Sequence, residues 1–194
     1  ATSTDGYNTA VGAKAGESVT TGINNTLIGS NAGDALTDAD ENVAVGMNAL
    51  GVDTLGTGSV AIGDSSLSTQ NFTTATTTYN TAVGYRAGFV VTTGTSNTLI
   101  GGLAGDAITV GFNNTALGHN AITALIDGDY NVALGTNSLQ SETKGNTSIA
   151  IGHGSLQTQN FTTATDTYNT AVGYAAGSSQ QTGTLNTLIG GLAG

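Results

Sequence analysis

A five-residue pattern, Asn-x-x-aliphatic-Gly or a close variant of it, closes at Gly12, Gly29, Gly46, Gly63, Gly84, Gly101, Gly118, Gly135, Gly152, Gly173 and Gly190. The steps between these glycines are 17, 17, 17, 21, 17, 17, 17, 17, 21 and 17 residues. A chain that returns to one local structure at so short a period must coil, because a unit of this size buries its apolar side only by stacking on its neighbours. Each 21-residue step carries a four-residue insertion, within LSTQNFTTATTTYN (67–80) and LQTQNFTTATDTYN (156–169), which lie 89 residues apart. YNTAVG follows each insertion and also stands at 7–12, so the array divides into units 7–78 and 79–167 and a partial unit 168–194. The opening ATSTDGYNTAVG reads as the tail of a further insertion, and the sequence stops part-way through a coil. Both ends are therefore expected to continue a longer array.

Numbered from its closing glycine, each coil repeats fixed columns. The residue before the glycine is aliphatic in every coil: Val11, Ile28, Val45, Ile62, Val83, Ile100, Leu117, Leu134, Ile151, Val172 and Ile189. This file is the expected structural core. Three residues after the glycine stands Ala or Ser throughout, a position without room. A second glycine seven residues before the first (Gly22, Gly56, Gly94, Gly111, Gly128, Gly145, Gly183) suits a turn of positive φ. Each coil is thus expected to hold two short strands and two turns. Two columns also exchange volume. Where the fourth residue after the glycine is Gly (Gly16, Gly33, Gly88, Gly105), the seventh is aliphatic (Val19, Leu36, Val91, Ile108). Where it is Leu (Leu50, Leu67, Leu139, Leu156), the seventh is polar (Asp53, Gln70, Glu142, Gln159). Ile122 with Leu125 and Gly177 with Gln180 fall outside that rule. The file of Asn8, Asn25, Asn42, Asn80, Asn97, Asn114, Asn131, Asn169 and Asn186 reads as an amide ladder along the stack.

Composition agrees with a β-coil. Helix-period stripes and proline are absent, and 30 glycines supply tight turns. Only 8% of residues are charged, too few for a solvated disordered chain. With 3 Lys+Arg against 13 Asp+Glu the net charge is −10, which repels phosphate and argues against a nucleic-acid partner. There is no cysteine, so no disulfide, and no apolar run long enough to suggest membrane insertion. Each coil brings about two large aliphatics, a thin core that association of several chains would thicken.

The motif N-[TSV]-[AVL]-[AVIL]-G, with a small residue three positions on, resembles the SVAIG-type repeat of trimeric autotransporter adhesin heads. The fuller pattern NTAVGYxAGxxxTTGxxNTLIG with its TQNFTTAT insertions is more similar to the long repeat arrays of bacteriophage tail fibres and related virion fibres. The resemblance covers essentially the whole chain. It implies an all-β fold, a parallel β-solenoid or β-roll of about eleven 17-residue coils with two four-residue insertions, assembled as a homotrimer. It further implies a structural and adhesive segment of an extracellular fibre on a virion or cell surface, with self-association as one partnership and a host-surface glycan or protein as another. A bacterial trimeric surface adhesin or an extracellular matrix filament is the alternative. An ice-binding solenoid is a lesser one, since the file of Thr9, Thr26, Thr81, Thr98, Thr115, Thr170 and Thr187 is interrupted by Val43, Val60, Val132 and Ile149.

No catalytic residue is expected. GDSS (63–66) and GHGS (152–155) occupy equivalent columns and read as repeat variants, and His119 and His153 fall in a variable column two coils apart. Asp38 and Asp40 in DADEN align with Asp127 and Asp129 in DGDYN, and their D-x-D-x-N spacing can present oxygens to calcium, the single candidate cofactor. A solvated acidic turn is the other reading. Aromatic residues gather at the insertions as Phe72, Tyr79 and Tyr85, then Phe161, Tyr168 and Tyr174. They are candidate glycan contacts, because a pyranose face stacks on a ring while neighbouring Thr, Gln and Asn meet its hydroxyls. The competing reading is that these rings pack the enlarged coil.

Overall fold

The structure is a computed structural model and describes residues 6–194. Residues 1–5, read above as the tail of an insertion, lie outside the described residues. Eleven three-residue strands, from Thr9–Val11 to Thr187–Ile189, pair in chain order into one parallel sheet, and no helix occurs among the described residues. The fold is the all-β parallel solenoid of about eleven coils expected from the period. Thr9 lies opposite Thr26 and Val11 opposite Ile28; across an insertion Val60 lies opposite Thr81. The four extra residues therefore bulge outward without disturbing the ladder. At about 4.8 Å per coil the stack is roughly 50 Å long.

The second strand expected in every coil forms only at the insertions. There Gly56–Thr57 pairs with Thr76–Thr77, and Gly145–Asn146 with Thr165–Asp166. In other coils side chains take over the inter-coil bonds on that side: the Ile23 amide donates to Asp40 Oδ1 at 2.8 Å and the Phe112 amide to Asp129 Oδ1 at 2.9 Å.

The expected core file is corrected by the pleat. Val11, Ile28, Val45, Ile62, Val83, Ile100, Leu117, Leu134, Ile151, Val172 and Ile189 point away from the coil interior and are half-buried or exposed, Leu117 at 48%. The buried residue is the one before it in the nine inner coils: Leu27, Ala44, Ala61, Ala82, Leu99, Ala116, Ala133, Ala150 and Ala171 are all fully buried, while Ala10 and Leu188 in the end coils are not. Successive strand residues face opposite sides, so moving the assignment by one position inverts the face. The coil interior is narrow and takes the alanine; the larger aliphatic stands outside.

Leucine enters that narrow interior where glycine vacates it. Leu27 fills the space above Gly16 and Gly33, and a Cβ on either glycine would press on its methyl groups. Leu99 stands in the same way against Gly88 and Gly105, and Leu188 against Gly177. The pairing of Gly177 with Gln180, unexplained from sequence, follows: Gly177 is small for the sake of Leu188, while Gln180 Nε2 turns to the Gly183 carbonyl. Ile122 and Leu125 are both fully buried against an interior column reduced to Ala116 and Ala133.

Two glycine columns serve different needs. The closing glycines have φ between 124° and 143°, and a Cβ on Gly29 would collide with the Gly46 backbone of the next coil. The second column does not take positive φ, contrary to the expectation for it. A Cβ at Gly94 would strike the Gly111 carbonyl, so close approach of stacked backbones selects glycine there. Between the columns runs the asparagine ladder. Asn97 receives the Asn114 amide on Oδ1 at 3.0 Å and donates Nδ2 to the Gly111 carbonyl at 2.8 Å, and the same pair of bonds recurs at Asn25, Asn42, Asn114 and Asn131.

Leu99→Ala is expected to cost about 2–5 kcal/mol by leaving a cavity between two glycines. Gly105→Leu alone is expected to destabilise by overpacking, and the double variant Leu99→Ala/Gly105→Leu to recover a large part of the loss, since the coil then approaches that of Ala116, Ile122 and Leu125, which holds an aliphatic seventh residue as this one does with Ile108. Urea unfolding of the three variants measures this coupling.

Candidate adhesive surfaces

At each insertion residues 73–75 and 162–164 project into solvent. Beneath each loop a buried carboxylate holds its base. Asp53 Oδ1 accepts from the Gly56 and Phe72 amides at 3.1 and 2.9 Å, and Gln70 Nε2 donates to Asp53 Oδ2 at 2.6 Å. Gln70 also donates to Ser59 Oγ and accepts from Asn80 Nδ2, both at 2.8 Å. Ser59 stands where most coils carry the ladder asparagine; its shorter side chain leaves space that Gln70 fills. The second insertion repeats the arrangement with one methylene more. Glu142 Oε1 accepts from the Gly145 and Phe161 amides at 2.7 and 2.9 Å, Oε2 from Gln159 Nε2 at 2.9 Å, and Gln159 Oε1 from Asn169 Nδ2 at 2.8 Å. Sequence reasoning placed these polar residues correctly as the counterparts of Leu50, Leu67, Leu139 and Leu156 but did not see that they are fully buried and bonded to one another.

The aromatic set divides. Phe72 and Phe161 are 7% and 8% exposed, so they anchor the loop base and are not surface contacts, a correction to their candidacy. Tyr79, Tyr85, Tyr168 and Tyr174 are exposed. Tyr79 and Tyr168, each at φ 51°, immediately precede the ladder residues Asn80 and Asn169. Tyr174 stacks on His153 with ring centroids 5.4 Å apart.

Of the four acidic candidates, Asp38, Asp40 and Asp129 accept hydrogen bonds between coils, while Asp127 has an ion pair and a buried Oδ1 without a hydrogen-bond partner among the described residues. Asp38 Oδ1 accepts from Thr21 Oγ1 at 2.5 Å, and Asp127 faces Lys144 Nζ at 3.8 Å, while Asp40 and Asp129 accept the amides named above. No group of three or more His, Asp or Glu suited to a metal ion occurs among the described residues. Ser66 and Ser155 each donate their hydroxyl to the closing glycine of their own turn, at 3.0 and 2.9 Å.

The second surface is the outward face of the eleven-stranded sheet. It carries the aliphatic file from Val11 to Ile189 beside the file of Thr9, Thr26, Val43, Val60, Thr81, Thr98, Thr115, Val132, Ile149, Thr170 and Thr187, because both lie two residues apart on one side of the pleat. The face thus carries two parallel stripes, one wholly aliphatic and one mixed. No protein-family model, curated protein or solved structure matches the chain.

Asp53→Ala is expected to destabilise the chain by at least about 3 kcal/mol in urea unfolding, since buried amides lose their acceptor. It is also expected to speed protease cleavage within 73–75. Burial pushes the Asp129 carboxyl above its ordinary value of 3.8 and the Asp127 charge adds to this, while the Phe112 amide opposes it. Folding then favours the protonated form: the contribution is fully present below the ordinary pKa and is lost as pH rises through the raised one. Asp129→Asn is expected to raise Tm near neutral pH and to leave it unchanged below the ordinary carboxylate range, as read in thermal scans at the two pH values.

Proposed function

We propose that this chain is a structural and adhesive segment of an extracellular fibre, of the phage tail or virion type, in which three copies pack through their outward sheet faces and display the insertion loops to a host surface. The observation that carries the reading is the unbroken aliphatic file, eleven residues long, standing on the outer side of the sheet while separate alanine and leucine columns fill the coil interior. A continuous apolar stripe of that length calls for a partner surface. A second copy offers a stripe of the same spacing, and the rod's repeat makes every coil contact equivalent to the next. The companion file mixes Thr with Val and Ile, and the main file holds no Thr at all. That composition favours a protein partner over the ordered water of an ice-binding face.

Light scattering on the purified chain tests the assembly. The expected mass is about 57 kDa, three times the 19.0 kDa chain. Leu134→Lys with Ile62→Lys is expected to reduce it to the monomer without altering the circular dichroism, because both side chains lie outside the coil. Loss of the trimer on calcium chelation would make Asp38, Asp40, Asp127 and Asp129 metal ligands; an unchanged mass would leave them as inter-coil acceptors. A parent chain that is monomeric throughout overturns the trimer.

A further inference from the structure

The fifth column after the closing glycine reads Glu17, Asp34, Gly51, Ser68, Phe89, Asp106, Thr123, Gln140, Gln157 and Ser178. Between Asp34 and Phe89 it falls to Gly51 and Ser68, and a trough of about 330 Å³ opens there along the stack. The chain contains its own control. Gln140 and Gln157 hold the same two places one superrepeat later, where Gln157 Nε2 donates to Gln140 Oε1 at 3.0 Å across the gap. Thr123 and Ser178 stand there in place of the end walls Asp34 and Phe89. Two nearly identical scaffolds thus differ in whether this column is filled or hollow, so the hollow is not a requirement of the coil.

The walls carry unspent hydrogen-bonding groups. Ser68 is 8% exposed, lines the trough, and its hydroxyl has no hydrogen-bond partner among the described residues. The Asp34 carboxylate at one end likewise has none. Asn31 Nδ2 donates to Asn48 Oδ1 at 3.0 Å, which leaves the Asn48 amide group as a donor. At the other end the Phe89 ring is held by the Arg86 guanidinium, 4.0 Å from its centroid. The exposed Val52 also lines the trough, in the coil next to that of Asp34.

We propose that this trough is a binding subsite for one neutral sugar unit of a glycan. A volume of about 330 Å³ lies at the small end of ligand sites, roughly 300–1,000 Å³. Closely spaced donors and acceptors suit a molecule whose every hydroxyl is both, and the Phe89 ring at one end suits the C–H face of a pyranose. No cation lines the trough, and the chain carries a net charge of −10, so anionic sugars are disfavoured. None of the lining residues belongs to the outward sheet face, so trimer formation through that face does not use them. As a contact to a host the subsite rests on the fibre reading; as a groove that takes a sugar it stands apart from it.

Saturation-transfer NMR on the whole chain with methyl glycosides of neutral hexoses, N-acetylhexosamines and 6-deoxyhexoses, and with sialic acid as the anionic control, tests this. At least one neutral glycoside is expected to give signal and sialic acid none. Gly51→Gln with Ser68→Gln imports residues the fold already accepts at 140 and 157, and is expected to abolish the signal with an unchanged native mass. Phe89→Ala is expected to weaken binding by about tenfold or more. Absence of signal across the neutral panel, signal from sialic acid alone, or binding that survives the double Gln variant overturns the subsite. A trimer that binds no sugar leaves the fibre reading intact and defeats this one; a monomer whose sugar signal disappears in the double variant does the reverse.

Discussion

Everything in this rod depends on one asparagine side chain doing two things at once. Its carbonyl oxygen receives the backbone amide of the asparagine one coil on, and its amide group donates to a glycine carbonyl fourteen residues ahead in that same coil. The side chain therefore fastens both ends of a turn to the next coil. Buried at 0–1% in most coils, it satisfies its own polar groups and backbone groups that would otherwise be unpaired. The closing glycine beside it lets neighbouring backbones approach closely enough for those bonds to form. The strand between them needs only three residues, because its register is set at each end by these contacts.

At an insertion the same bonding is rebuilt with different residues. Ser59 and Ser148 replace the asparagine, and each pairs with a threonine hydroxyl, Thr78 or Thr167. Gln70 and Gln159 reach into the vacated space and rejoin the ladder at Asn80 and Asn169. Asp53 and Glu142 differ by a methylene yet hold equivalent amides, Glu142 gathering those of Thr143 and Lys144 as well. A buried polar network of this kind is favourable only when every member is bonded, which explains why the substitutions at four separate positions occur together.

The period, the number of coils, the parallel stacking and the asparagine ladder were all legible in the sequence, because each is a one-dimensional spacing. The inside and outside of the strand were not. An aliphatic file looks like a core until the width of the coil is known, and the width here admits Ala44, Ala61 or Ala133 but not the adjacent valine or isoleucine. The role of the second glycine was misjudged for a related reason: contact between stacked backbones leaves the same residue preference as a left-handed turn. Of the aromatic set, Tyr79 and Phe72 had the same sequence context, and only the fold separates an exposed ring from a buried anchor. The trough between Asp34 and Phe89 was hidden because it is defined by what two side chains lack.

The fit of Leu27 over Gly16 and Gly33 has a consequence for how such a gene can grow. A coil bearing leucine in its interior column tolerates only glycine below it and glycine in its own turn, so it is not interchangeable with the other coils. In each copy the NTLIG coil directly follows a YNTAVG coil, at Gly12 with Gly29, Gly84 with Gly101 and Gly173 with Gly190. The two are a single indivisible module. A duplication or deletion whose breakpoint avoids both this pair and the coils joined by an insertion network lengthens or shortens the rod by whole steps and leaves its packing intact, whereas one that falls inside the pair places a leucine against a larger residue than glycine. Rod length can therefore change only in discrete increments, with the breakpoints restricted by the packing of three leucines and by the two insertion networks.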